Sequence, residues 1–197
     1  MIGLTGGLGS GKSTVSQFLQ ELGATLLDAD KVGHETYLPD TPAWRDLIAA
    51  FGQGIVGANR EIDRKKLGPI VFGDPAKLAQ LNSIVHPRLR DLLFDRLEKF
   101  RAQGIRNVVL EAAILIEANW VHLVDEVWVV QAPEDVVIER VKKRNNLPED
   151  QIRQRIRSQL PNEERAKYAD VIIDTNCSLD AVKHRVQAAW HQRVAAK

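Results

Sequence analysis

Residues 6–13 read Gly6-Gly7-Leu8-Gly9-Ser10-Gly11-Lys12-Ser13, directly after a short apolar run at 2–5 and directly before a helical pattern at 15–22. No other stretch restricts the fold as much. A loop of the form G-x-x-x-x-G-K-S wraps a phosphate with several backbone N–H groups turned inward, and a Cβ at its glycines would obstruct that approach or forbid the dihedrals. Strand, loop and helix stand in the order that such a loop requires, and the helix aims its N-terminus at the anion. Lys12 is placed to neutralise the β- and γ-phosphates, and the Ser13 hydroxyl to sit on Mg²⁺. The expected nucleotide contacts are Gly7, Leu8, Gly9, Ser10, Gly11, Lys12, Ser13 and Thr14, with Ser13 as the metal ligand. The loop calls for a nucleoside triphosphate and is silent about what receives the phosphate.

Four further apolar runs, at 24–28, 107–112, 126–131 and 170–174, read as buried strands. Most are apolar at consecutive positions, the pattern of a parallel sheet covered on both faces. Helical patterns lie between them. One spans 133–144, with Pro133 suited to the first turn, and another spans 179–193 behind Ser178 as N-cap. Alternating β and α elements give a three-layer α/β domain of P-loop NTPase type with a five-stranded parallel sheet. The connection 31–104 is too long for a simple crossover and has no strong strand. Its helical pieces, at 41–51 and from about 86 to 103, read as an insert in one domain of 197 residues whose core is 1–30 and 105–197. Packed over the sheet's carboxyl edge, where open α/β sheets bind ligands, it would hold a second substrate. A merely structural helical layer is the alternative.

Asp28 and Asp30 follow the second strand. A carboxylate there can take a proton from an attacking hydroxyl or act through water on the metal. Asp30 is the better candidate base, because Asp28 is expected to remain in the strand with its side chain turned differently; helix capping or a turn is the alternative for both. Arg140, Lys142, Lys143 and Arg144, then Arg153, Arg155 and Arg157, concentrate positive charge. A solvated helix face explains most of them, but Arg140 and Arg144 are four apart on one face and suit a phosphate in transit. The segment 140–160 reads as a lid. Glu111 and Glu117 bracket the end of the third strand, where an acidic residue can face the metal shell or the acceptor. Arg64 is a candidate grip for an anionic group of the acceptor. His86 is a candidate orienter of the acceptor, with a helix cap as the alternative. The 27 basic and 26 acidic residues leave a net charge of +1, which argues against a nucleic-acid coat protein. Cys177 is the single cysteine, so an intrachain disulfide and a Cys-rich zinc site are excluded. No apolar run reaches the roughly 18 residues of a membrane span, and the cytoplasm is the expected location.

Together these residues resemble the dephospho-CoA kinase family. The resemblance is carried by residues 4–14, Asp28-Ala29-Asp30, Asp63-Arg64, Ile84-Val85-His86-Pro87, Ile114-Leu115-Ile116-Glu117, Arg140 with Arg144, Arg155 with Gln159, and Ala169-Asp170. The loop alone is widely shared, whereas Asp-Ala-Asp and His-Pro at these separations are specific. The resemblance implies a nucleoside-monophosphate-kinase-like fold with sheet order 2-3-1-4-5. It implies transfer of the γ-phosphate of ATP, with Mg²⁺, to the ribose 3′-hydroxyl of dephospho-CoA, giving coenzyme A and ADP. It also implies Asp30 as base, Lys12 and Arg140 on the transferring phosphate, and Arg144 with the nucleotide. Arg64, His86, Glu111 and Leu115 would lie on the acceptor side. Three positions depart from the family pattern. Val137 replaces a lid glutamine, Thr175-Asn176-Cys177 replaces an N-x-G near the adenine, and residues 111–117 replace D-x-P-L-L-F-E. The alternatives are another P-loop small-molecule kinase acting on a nucleotide or nucleoside, and a nucleotide-switched binding protein, although no N-K-x-D guanine-reading motif is present.

Overall fold

Every residue of β1 (Ile2–Gly6) is buried, as expected of a central strand in a parallel sheet. The structure is a computed structural model and describes residues 1–195. After β1 come α1 (Lys12–Glu21), β2 (Thr25–Asp28), α2 (Ala29–Thr36), α3 (Pro42–Phe51), α4 (Arg64–Phe72) and α5 (Pro75–Ala102). The chain continues through β3 (Val108–Glu111), β4 (Glu126–Gln131), α6 (Glu134–Asn145), α7 (Glu149–Arg157), α8 (Asn162–Ala166), β5 (Val171–Asp174) and α9 (Leu179–Trp190). The five strands form one parallel sheet in the order β2-β3-β1-β4-β5. In register, Ile2 of β1 faces Val109 of β3 on one side and Glu126 of β4 on the other. The central position of β1 brings the glycine loop out at the carboxyl edge between two neighbouring strands, where ligands bind in open α/β sheets.

The chain divides into two compact units, one of Met1–Leu27 with Phe100–Lys197 and one of Asp28–Lys99. In the first, α1 and α9 cover one face of the sheet. Val15, Phe18 and Leu19 meet Val182, Val186 and Trp190 over Leu4, Trp128 and Ile173. A smaller cluster joins α6 and α7, with Ile152 fully buried against Val137, Ile138 and Val141. The helical unit has its own core around Leu47, Ile55, Ile62, Leu67 and Val71.

Two helix starts differ from the sequence reading. The long helix expected from about 86 begins at Pro75, and His86 therefore lies inside it rather than at a cap. Asp74 explains the start, since its carboxylate accepts the N–H groups of Ala76 and Lys77. Pro87 cannot donate to the Ser83 carbonyl, yet the helix runs through it, and the Arg88 side chain donates to the next carbonyl, that of Ile84, at 2.7 Å. Pro133 is the N-cap of α6 rather than its first-turn residue. Ser178 caps α9 as expected, its hydroxyl accepting the Ala181 N–H.

Candidate active site

Gly9 and Gly11 turn the loop with φ of +66° and +90°, a region that glycine enters freely, and Gly11 is the N-cap of α1. Glycine at position 9 is also demanded by space. A Cβ there would stand 2.9 Å from Val141 Cγ2 and 3.0 Å from Val137 Cγ1 of α6. The Ser10 N–H donates to the Gly7 carbonyl at 3.2 Å and closes the turn. Lys12 and Ser13 occupy the first two positions of α1, where backbone N–H groups have no intrahelical acceptor. The helix dipole adds to them, so this end of α1 favours an anion.

The Lys12 ammonium donates to Glu111 Oε1 at 2.8 Å, and the side chains are only 15% and 13% exposed. Ser16, one turn beyond Lys12 and so on the same helix face, donates to the other oxygen, Glu111 Oε2, at 2.6 Å. Glu111 ends β3 in register with Leu4 of β1, which carries its carboxylate to the loop's flank. The ammonium has three donors, so a bound phosphate and Glu111 can share it.

The loop's second half is clasped from α6 and from the end of β5. The buried Thr175 hydroxyl donates to the Ser10 carbonyl at 2.7 Å. Arg140 donates to the Thr175 hydroxyl at 2.8 Å and to its carbonyl at 2.7 Å, and its Nη1 stands 3.4 Å from the Gly9 carbonyl. A Cβ on Gly11 would lie 3.2 Å from Thr175 Cγ2. Thus two positions that depart from the family pattern, Val137 and Thr175, both touch the loop. Arg144 behaves differently. It is exposed, and its Nε donates to Asn145 Oδ1 at 2.9 Å. On α7, Arg153 bonds Glu134 and Glu149 and holds the Glu149 carboxyl below its ordinary value.

A family model described as dephospho-CoA kinase (CoaE) matches residues 1–181. The chain belongs to the dephospho-CoA kinase family. A dephospho-CoA kinase from Geobacter sulfurreducens is 43% identical over 193 residues, covering 98% of each chain. One from Dehalococcoides mccartyi is 39% identical over 194 residues, covering 98% of each. Among solved structures, TT1252 from Thermus thermophilus is 31% identical with a TM-score of 0.80, covering 98% of this chain and 97% of that one. Membership makes the chain a P-loop kinase with a nucleotide substrate and a small-molecule acceptor. No described helix is long and apolar enough to cross a membrane.

The remaining residues singled out in the sequence fall into separate groups. Asp28 is the N-cap of α2, accepting the N–H groups of Asp30 and Lys31 at 3.0 and 3.2 Å. Asp30 is exposed in the first turn of that helix. In the helical unit, Arg64 donates through Nε to the Tyr37 hydroxyl at 2.9 Å, and its guanidinium lies 5.8 Å from that ring's centroid. His86 is partly buried on α5, and burial lowers its pKa. Ser13 and Thr14 follow Lys12 on α1, with the Ser13 side chain exposed. Leu115 is a correction. It is fully buried, and its Cδ2 lies 2.7 Å from where a Cβ on Gly3 would stand, so it packs under β1 and is not an acceptor contact. A motif match identified the residue but not the face to which its side chain turns. Sequence reasoning missed Ser16 as a partner of Glu111, and Thr175, Gln159 and Arg165 as loop partners. Only Ser16, four residues after Lys12, had a local signal.

Proposed function

We propose that this chain transfers the γ-phosphate of ATP to the ribose 3′-hydroxyl of dephospho-CoA, giving coenzyme A and ADP. The family match along residues 1–181 carries this reading. The loop's donor set supports the triphosphate half of it. The backbone N–H groups at the start of α1 bind phosphate oxygens, and Lys12, held by Glu111, draws charge toward the leaving β-phosphate. Arg140 already stands against Gly9 and reaches the donor phosphates by exchanging a bond to Thr175. Arg144 supplies a second cation from the end of α6.

The donor set also fits Mg²⁺. Among the described residues no group of three or more His, Cys, Asp and Glu side chains forms an all-protein metal cage. A hard cation that keeps several waters and takes one hydroxyl plus phosphate oxygens needs none, and Ser13 offers that hydroxyl. Bound there, Mg²⁺ would neutralise charge developing on the phosphates.

Asp30 is the proposed base. It stands two residues past the carboxyl end of β2, and its neighbour Asp28 is engaged as a cap. It takes the proton of the 3′-hydroxyl as the oxygen attacks phosphorus, while the β-phosphate oxygen leaves with the electron pair. Arg64 and His86 are proposed acceptor contacts, and the cytoplasm is the proposed location. An assay of ADP release tests the reading. Turnover with ATP and dephospho-CoA, abolished in Lys12→Ala, is expected. Turnover only with a nucleoside or another alcohol would refute it.

A further inference from the structure

The first half of the loop has its own brace, separate from the Arg140–Thr175 clasp on the second half. Gln159, in the link between α7 and α8, accepts the Leu8 N–H at 2.8 Å through Oε1. Arg165, on α8, has a side chain only 3% exposed, and its Nη2 donates to Glu117 at 2.9 Å. A Cβ on Gly7 would lie 3.1 Å from Arg165 Nη1 and 3.2 Å from Gln159 Oε1. Both side chains therefore crowd Gly7, and Gln159 also binds Leu8. The general motif leaves position 7 open, so its demand for a small residue comes from this pair rather than from the loop's own turn.

Arg165 is a poor choice if packing were its only task. A guanidinium has five N–H donors and a permanent charge, and burial penalises each donor left without an acceptor. Arg165 Nε is such a donor, buried and unpaired among the described residues. An apolar side chain of similar length would fill the space without that penalty. What it could not supply is a guanidinium beside Gly7, where solvent screens weakly; Glu117 offsets part of that charge and fixes its position.

We propose that Gln159 and Arg165 are positioning residues for the donor nucleotide. Gln159 fixes the orientation of the Gly7–Leu8 peptide, and Arg165 holds Gly7 in place and raises the positive potential of the loop. Neither touches the reacting atoms. The inference rests on the loop being the nucleotide site, as proposed above. It ties the α7–α8 link to the loop, so that a change in that link alters nucleotide affinity.

The test measures ATP binding by calorimetry and steady-state kinetics with ATP and dephospho-CoA. The proteins are the wild type, Gln159→Ala, Gln159→Glu, Arg165→Met and Arg165→Lys. Gln159→Ala should raise the Kd and KM for ATP about fivefold, equivalent to about 1 kcal/mol. The KM for dephospho-CoA should stay within about twofold, well inside that margin. Leu8 amide exchange should quicken in Gln159→Ala and stay slow in Gln159→Glu, which keeps an acceptor. Arg165→Met leaves Glu117 without its partner and so lowers Tm, but it should weaken ATP more than ADP and leave the KM for dephospho-CoA unchanged, and Arg165→Lys should recover part of the affinity. ATP affinity unchanged in both Gln159→Ala and Arg165→Met would overturn the proposal. So would equal rises in both KM values alongside a lowered Tm, the mark of a merely structural role. A wild type that bound no ATP would instead overturn the reading of the loop itself.

Discussion

Removal of the Glu111 carboxylate is the perturbation whose size the structure constrains most closely. In Glu111→Ala, Lys12 loses a 2.8 Å ion pair and Ser16 loses a 2.6 Å acceptor. The pair is mostly shielded, at 15% and 13% exposure, so the loss exceeds that of a surface pair. Breaking a fully buried pair costs about 3–5 kcal/mol and an exposed one at most about 1. For this pair we expect about 2–3 kcal/mol in the nucleotide-free protein, which for a chain of this size lowers Tm by about 4–12 °C. A bound triphosphate offers Lys12 a replacement anion. A saturating non-hydrolysable ATP analogue should therefore raise the Tm of Glu111→Ala by more than it raises that of the wild type. Glu111→Gln keeps an acceptor for Ser16 and should lie between the two. Differential scanning calorimetry with and without the analogue reads all three. The reasoning fails if Glu111→Ala melts within about 1 °C of the wild type. It fails equally if the deficit is the same with and without nucleotide.

Asp30→Asn should lower kcat by about 10²–10⁴ if Asp30 is the base, with the KM for ATP little changed; a loss within about twofold would refute the assignment. Gly9→Ala combines a φ of +66° with crowding by Val137 and Val141, so ATP affinity should fall more than about tenfold while circular dichroism stays native. Leu115→Ala should cost about 2–5 kcal/mol of stability by denaturant titration and leave the KM for dephospho-CoA unchanged, whereas a raised KM would restore an acceptor role. Burial lowers the pKa of His86 from 6.5, so the folded state prefers the neutral ring while the unfolded chain still protonates near that value. Stability should be complete above about pH 6.5 and decline as pH falls toward the folded-state pKa. His86→Gln should flatten that decline in chemical denaturation at pH 7.5 and 5.5, and an unchanged slope would count against it.

The sheet was legible because buried parallel strands keep apolar residues at consecutive positions, and β1, β4 and the run into β5 all do so. The start of α5 was not. Pro87 looks like a helix boundary in isolation, while Asp74 capping and the Arg88 bond to Ile84 are invisible without the folded backbone. The glycine loop announced itself through local spacing, and Lys12 and Ser13 follow from it directly. Its partners did not, because Glu111 is 99 residues from Lys12 and Thr175 is 165 from Ser10. Those pairings arise from strand order, which brings the ends of β3, β1 and β5 to one edge of the sheet. Leu115 shows the converse limit. Matching a motif placed it among acceptor contacts, but its side chain turns into the core beneath Gly3.

The central claim is the identity of the phosphate acceptor, and the structure of the product tests it most directly. ATP, Mg²⁺ and dephospho-CoA should be incubated with the purified protein and the product examined by mass spectrometry and phosphorus NMR. The account predicts one added phosphoryl group, carried as a monoester on the ribose 3′-oxygen, with ADP formed in equal amount and no product from Lys12→Ala. Unmodified dephospho-CoA, in a preparation that phosphorylates a nucleoside or nucleotide instead, would contradict it.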